Sequence, residues 1–348
     1  MADRGTLCIV LRFDSRYSTA LHAPFDLRLV EAADGPERGQ RILQMSNPAG
    51  FALDVEIDRG MGIGRASHHG EPFAWRSPTG DPVLPRVAAN DEAGLAPLRS
   101  FSGLLVTGGL DHAFAPQTRD AGRYGYPGRS QAHHPLHGRI GHLPTSHFNY
   151  GVTQNSNASP TAFVEGTVRQ VALFGEHIEL TRRIEIDLHT STLRLRDHVT
   201  NLGSVNTPHQ LLWHINVGWP MLDEEATIQI HGRGQPSSQY PNPTTMPPPA
   251  DAAEEDVIAF DRRDVDPNTP AAEVRRPGRT LSIFVDPDEM PWLVRWLNPR
   301  AGSYALGLEP STHAPHENVW RDDAGERDLL KPGETRHYHL SLDVSDTD

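Results

Sequence analysis

The sequence predicts an all-β protein, a large sandwich of packed antiparallel sheets. Three observations carry that prediction. Apolar residues recur at every second position in many short runs, and no run of ordinary helix length carries an apolar stripe at the 3.6-residue period. Thirty Pro and thirty Gly among 348 residues supply turns and edges rather than helix interiors.

The alternation is clearest between 161 and 201. In HIELTRRIEID, Ile178, Leu180, Ile184 and Ile186 share one parity, while Glu179, Thr181, Arg183, Glu185 and Asp187 take the other, as in a half-buried strand. After LHTSTLR, Leu193, Leu195 and Val199 resume the period of two, so the pair reads as two long antiparallel strands with a short link. Arg182 breaks the pattern on the apolar parity, which requires either a buried partner or a bulge that turns it outward. Upstream, DLRLVEA, FALDVEID and SGLLVTGG read as strands. Downstream, QLLWHINV, ATIQIHG, TLSIFVD, PWLVRWL, YALGLEP and HYHLSLDV do the same.

Two stretches interrupt the strands. The Pro-rich, acidic segment at about 234–257 lacks the apolar residues for a core and is expected as a surface excursion. The other, 113–149, contains HHPLHGRIGHLPTSHFNY and is too long for a hairpin turn; long ordered loops on β scaffolds often carry function. No repeat of about 20–50 residues is visible, which argues against a propeller or solenoid. The whole chain, 1–348, is expected to form a single domain.

A formal net charge of -13 and the lack of a basic run argue against a nucleic-acid partner and for a neutral or modestly charged small molecule. A single cysteine, Cys8, leaves no disulfide framework and no cysteine-based zinc site. The start MADRGTLCIVLRFDS reads neither as a signal peptide nor as an anchor, and no run of about 18 apolar residues suggests a membrane span. A soluble cytoplasmic protein is the expectation; the oligomeric state is not encoded in any pattern we recognise.

Two residues stand out as chemistry. His214 interrupts an apolar strand between Trp213 and Ile215; taken alone, a core histidine satisfied by hydrogen bonds is the simpler account. Glu309 closes the apolar run YALGL ahead of a proline, where a surface carboxylate is an equal alternative. Removed from water, such a carboxylate has its pKa raised and serves as a base near neutrality. Facing one pocket, the two would make a general acid/base pair.

The order of several motifs resembles the galactose mutarotase superfamily, and its aldose 1-epimerase-like branch most of all. They are Arg59-Gly60-Met61, Gly70 through Trp75, Gly103 to Leu110, PLHGR at 135–139, His214 to Asn216, Leu308 to Pro310, and the terminal LKPGETRHYHLSLDV. The resemblance implies a β-sandwich of the supersandwich type with a sugar pocket on a concave sheet, and no metal or nucleotide cofactor. It implies that Glu309 takes the proton of the anomeric hydroxyl and His214 protonates the ring oxygen. It also points to His137 near that oxygen, Arg139 on sugar hydroxyls, and Arg59, Asn216 and Asp223 as further substrate-binding positions. Trp75, Trp213 and Trp219 are candidate sugar faces, with core packing expected for at least two of them. One departure concerns the catalytic strand, where Trp213 stands in place of the asparagine that usually precedes the acid histidine. Two alternatives share the scaffold: a metal-dependent sugar isomerase or lyase using the histidine-rich stretch with His209, His214 and Glu309, and a carbohydrate-binding protein without catalysis.

Overall fold

Strands with one apolar parity must cover it with a second layer, and here two antiparallel sheets cover one another. The computed structural model describes residues 16, 25–82, 88–124, 130–153, 159–235, 240, 244–315 and 329–347. An 11-stranded sheet runs in space through Asp26–Glu31, Arg41–Ser46, Phe51–Glu56, Gly62–His68, Leu105–Leu110, Gln210–Val217, Ala305–Ser311, Trp292–Asn298, Asp256–Asp261 and Arg233–Gly234, with Glu71–Pro72 beside the fourth. An 8-stranded sheet runs through Thr227–Ile230, Ala272–Arg276, Arg279–Val285, Thr335–Asp346, Thr192–Asn201, His177–Asp187, Thr161–Val171 and Ser146–Thr153. The two strands of the clearest alternation pair as expected, Ile178 opposite Asn201 through Ile186 opposite Leu193.

The core lies between the sheets. Leu211, Trp213, Ile215, Val217, Leu306 and Leu308 enter it from one side, and Leu180, Ile184, Leu195 and Leu340 from the other. Each such side chain contributes roughly 1.5–3 kcal/mol through burial. Arg182 also lies in this core, fully buried, and no bulge turns it out. Asp197 takes it bidentately, Nε to Oδ1 at 2.8 Å and Nη2 to Oδ2 at 2.6 Å. Its Nη1 donates to Thr107 Oγ1 (2.7 Å) and Met61 O (3.2 Å), and Trp213 Nε1 donates to Asp197 Oδ2 (3.0 Å). This network ties strands of the two sheets together directly beneath Trp213 and Thr107.

Leu212, His214 and Asn216 take the opposite parity and point away from the inter-sheet core, yet the whole strand is buried. Ala113 and Phe114 cover Leu212 and Val294, while Trp75 and Phe101 cover Ala305. The outer face of the 11-stranded sheet is therefore roofed by segments outside its strands.

Both interruptions make contacts that no sequence pattern marked. Within 113–149, Gln117–Asp120 pairs with Gln131–His134 as a hairpin, and a strand begins at Ser146. Past the Pro-rich stretch, Met246 is buried against the core and Tyr304 Oη donates to Pro247 O at 2.8 Å. Residues 244–257 touch the sandwich through Met246, Pro247 and the bridge of Ala250 to Arg300, while most of them stay exposed; 236–239 and 241–243 of the predicted excursion lie outside the described residues.

Candidate active site

Strand pairing brings the two candidate catalytic residues together. Leu212 faces Ser311, Ile215 faces Leu308 and Asn216 faces Gly307, a register that sets His214 opposite Glu309. Side chains directly opposite on one face of an antiparallel pair approach closely, and His214 Nε2 lies 3.1 Å from Glu309 Oε1. Both are almost fully buried, at 4% and 3% exposure. Gly307 makes this contact possible: a Cβ there would stand 2.7 Å from His214 Cε1 and 3.1 Å from Glu309 Oε1.

Aromatic rings wall the pair. Phe101 packs edge-on to His214 at 4.8 Å between ring centroids, Trp296 at 5.5 Å and His137 at 5.2 Å. Phe101 also stacks on His137 at 5.6 Å, and Trp75 closes on Trp296 at 5.9 Å. His137 adopts a left-handed φ of +56°, followed by Gly138 at +74°, where a Cβ would meet the carbonyls of Gly109 and His112 at 2.3 Å. That close approach presses the loop onto strand Leu105–Leu110 and delivers His137 over His214. Gly109 N in turn donates to His137 O at 2.9 Å.

Desolvation dominates the electrostatics. Burial pushes the Glu309 carboxyl well above its ordinary 4.5, and the nearby Glu255 charge adds to the rise. Burial holds the His214 imidazole well below its ordinary 6.5, with His137 acting in the same direction. The two shifts together favour a pair that carries one proton and no net charge. Moving that proton from Glu309 to His214 converts the pair into a carboxylate beside an imidazolium without exchange with solvent. Buried polar atoms around it make no hydrogen bond: His214 Nδ1, His137 Nδ1 and Asn216 Oδ1. Each such group costs about 1–3 kcal/mol until something partners it.

The other expected binding residues divide. Arg59 lines a small cavity with Phe101, His137 and His142, although its guanidinium is held by Glu56 (2.7 Å), Asp81 (3.5 Å) and Ser100 O. Asn216 lies on the His214 face, its amide nitrogen donating to Gly103 O at 3.0 Å. Arg139 departs from expectation. It turns from His137 into a second cleft with Asp111, Tyr124 and Glu176, donating to His134 Nδ1 (3.2 Å) and to His133 O. Two residues beyond His137, the intervening Gly138 turn sends it the other way. Asp223 commits its Oδ1 to the backbone N–H groups of Glu225 and Ala226, both at 2.9 Å, and so caps a turn.

Of the tryptophans, Trp213 belongs to the core, Trp75 backs Trp296, and Trp219 is 76% exposed. The histidines of the 133–147 loop scatter. His133 pairs with Thr118, His134 faces Asp111, His142 lines the Arg59 cavity and His147 is exposed. Among the described residues they form no three-ligand metal group. His209 is likewise occupied, by Leu110 O (2.9 Å) and Tyr338 Oη (2.8 Å).

Sequence reasoning missed Phe101, Trp296, Gly307 and Glu255. Trp296 and Gly307 had a readable signal, since they sit at the parity of Val294 and Glu309 on neighbouring strands. Phe101 and Glu255 lie outside the strands and had none. Glu255 holds Trp296 through its indole Nε1 at 2.7 Å.

A family model described as "Domain of unknown function (DUF4432)" matches residues 37–344. No curated protein matches the chain. Solved structures do. A Klebsiella pneumoniae subsp. pneumoniae protein provisionally called an aldose 1-epimerase is 22% identical, with 92% of this chain and 83% of that one covered and a TM-score of 0.79. A galactose mutarotase-like protein of Clostridium acetobutylicum is 15% identical, with coverage of 93% and 99% and a TM-score of 0.62. A galactose 1-epimerase of Lactobacillus acidophilus is 14% identical, with coverage of 93% and 100% and a TM-score of 0.59. The fold is galactose mutarotase-like, as the motif order implied.

Proposed function

We propose that this chain, which belongs to the DUF4432 family, is a mutarotase that interconverts the anomers of a free sugar or sugar acid by acid/base ring opening. The observation that carries the proposal is the 3.1 Å contact between His214 and Glu309, buried on the roofed face of the 11-stranded sheet. Opening a hemiacetal needs one proton removed and one supplied. Glu309, as carboxylate, takes the proton of the anomeric hydroxyl; the C1 bond to the ring oxygen breaks; the ring oxygen takes a proton from the His214 imidazolium. Rotation about C1–C2 and the reverse transfers close the ring as the other anomer. With Nε2 engaged by Glu309, Nδ1 is the nitrogen left to face the ring oxygen. The balance requires no metal or nucleotide.

The unpartnered His137 Nδ1 and Asn216 Oδ1 suit sugar hydroxyls, and Phe101 and Trp296 offer faces for the C–H side of a pyranose. Since the pair is almost fully buried, entry requires a covering ring to move, and Phe101, outside any strand, is the ring best placed to do so. Acid/base catalysis of this kind contributes about 10²–10⁴-fold. Exchange NMR on a panel of aldoses and uronates tests the reading. Faster anomer exchange with at least one sugar, lost in Glu309→Gln, supports it; binding without exchange points to a carbohydrate-binding role instead.

A further inference from the structure

A second constellation lies where the two sheets meet, apart from the acid/base pair. His68 ends strand Gly62–His68 of the 11-stranded sheet, and His69 follows in the turn to Glu71–Pro72. Asp346 ends strand Thr335–Asp346 of the 8-stranded sheet. One ligand atom from each lies within 4.8 Å of the other two.

The hydrogen bonds fix the tautomer of His68. Ser191 Oγ donates to Ala49 O at 3.1 Å, so toward His68 Nε2, at 2.8 Å, it accepts. The ring proton is therefore on Nε2, and Nδ1 carries a lone pair. That nitrogen is buried in a residue only 2% exposed and makes no hydrogen bond. It faces Asp346 Oδ1 at 3.7 Å, while His69 Nε2 faces Asp346 Oδ2 at 3.7 Å. A lone pair opposite a carboxylate is repulsive unless a metal ion or a second ring proton lies between them. The separation is too long for a hydrogen bond, yet near the roughly 3.4 Å that divides two ligands of one tetrahedral ion with bonds of about 2.0–2.1 Å. His69 holds a left-handed φ of +50°, with its N–H donating to Gly50 O at 2.7 Å, so its ring is set beside that of His68 at 4.1 Å. Arg279 Nε approaches Asp346 Oδ1 at 3.9 Å, and Glu71 shares its charge through a 3.0 Å contact.

We propose that His68, His69 and Asp346 bind one divalent transition-metal ion of the zinc class, which staples the end of the last strand to the edge hairpin of the opposite sheet. Two imidazoles and a carboxylate suit such an ion, and they leave a fourth position for water. Ser191 is a positioning residue, because the hydrogen bond on the far ring nitrogen orients a ligand histidine and fixes its tautomer.

The test is calorimetric titration of the chelator-stripped full chain with zinc chloride, alongside cobalt(II) absorption and thermal unfolding. The expected result is one saturable equivalent, a tetrahedral cobalt spectrum, and a melting temperature that rises with zinc concentration. His69→Ala and Asp346→Asn should abolish all three; both side chains are more than half exposed, so circular dichroism should show an intact fold. Ser191→Ala should weaken binding about 10–100-fold. Absence of saturable binding overturns the site. Equal binding in both ligand variants also overturns it, since the ion would then be held by other histidines.

Discussion

At the scale of single residues, the burial of His214 and Glu309 makes definite demands on pH behaviour. The pair gains a second proton only below the ordinary histidine value of 6.5, because desolvation lowers the imidazole. It loses its last proton only above the ordinary carboxylate value of 4.5, because desolvation raises the carboxyl. Burial thus widens the range of the singly protonated form at both ends, and the acidic limb of kcat/KM should fall below pH ~6.5, the value of a solvent-exposed imidazole. An acidic limb that breaks at pH ~6.5 instead would mean that the histidine in use is a hydrated one. Removing the negative charge in Glu255→Gln should lower the Glu309 value and move the alkaline limb to lower pH. In Gly307→Ala the new methyl has no room between His214 and Glu309. Anomer exchange should fall while circular dichroism stays native; unchanged exchange would place the chemistry elsewhere. His214 and Glu309 were legible in sequence because a charged or titratable group inside an apolar strand is conspicuous. The direction that Arg139 takes was not legible, because the αL turn at Gly138 sends it away from His137 and residue spacing carries no trace of that.

At the scale of elements, strand register decides which side chains reach the site. A slip of one residue between Gln210–Val217 and Ala305–Ser311 would send His214 into the inter-sheet core and Trp213 to the site. The Arg182–Asp197 pair, joined by Thr107 and Trp213, sits at the junction of the strands that fix this register. Arg182→Met leaves Asp197 buried without its partner, which should cost about 3–5 kcal/mol in urea unfolding. Arg182→Met with Asp197→Leu should recover most of the loss, with the orphaned Trp213 indole retaining a part. If the single variant is as stable as the native chain, the pair does not hold the sheets. The strands with strict alternation were readable in advance, including the long pair over 177–201. Arg41–Ser46, Asp256–Asp261 and the hairpin of Gln117–Asp120 with Gln131–His134 were not, since mixed polarity on both faces erases the period of two.

At the scale of the whole molecule, two stacked sheets leave one outer face of the larger sheet to be roofed by connecting segments, and the proposed acid/base pair of His214 and Glu309 lies under that roof. Alternation and turn chemistry made the sandwich legible, whereas the segments that cover the site were invisible because their contacts are tertiary. Phe101 and Glu255 owe their places to chain packing over long sequence distances, not to any local pattern. The most direct test of the central claim is anomer-exchange NMR on the native chain and on Glu309→Gln, side by side, across a panel of aldoses and uronates. Acceleration by the native chain for at least one sugar, reduced about 10²–10⁴-fold in a folded Glu309→Gln, is the predicted result. No acceleration with any sugar, or equal acceleration by the variant, would contradict it.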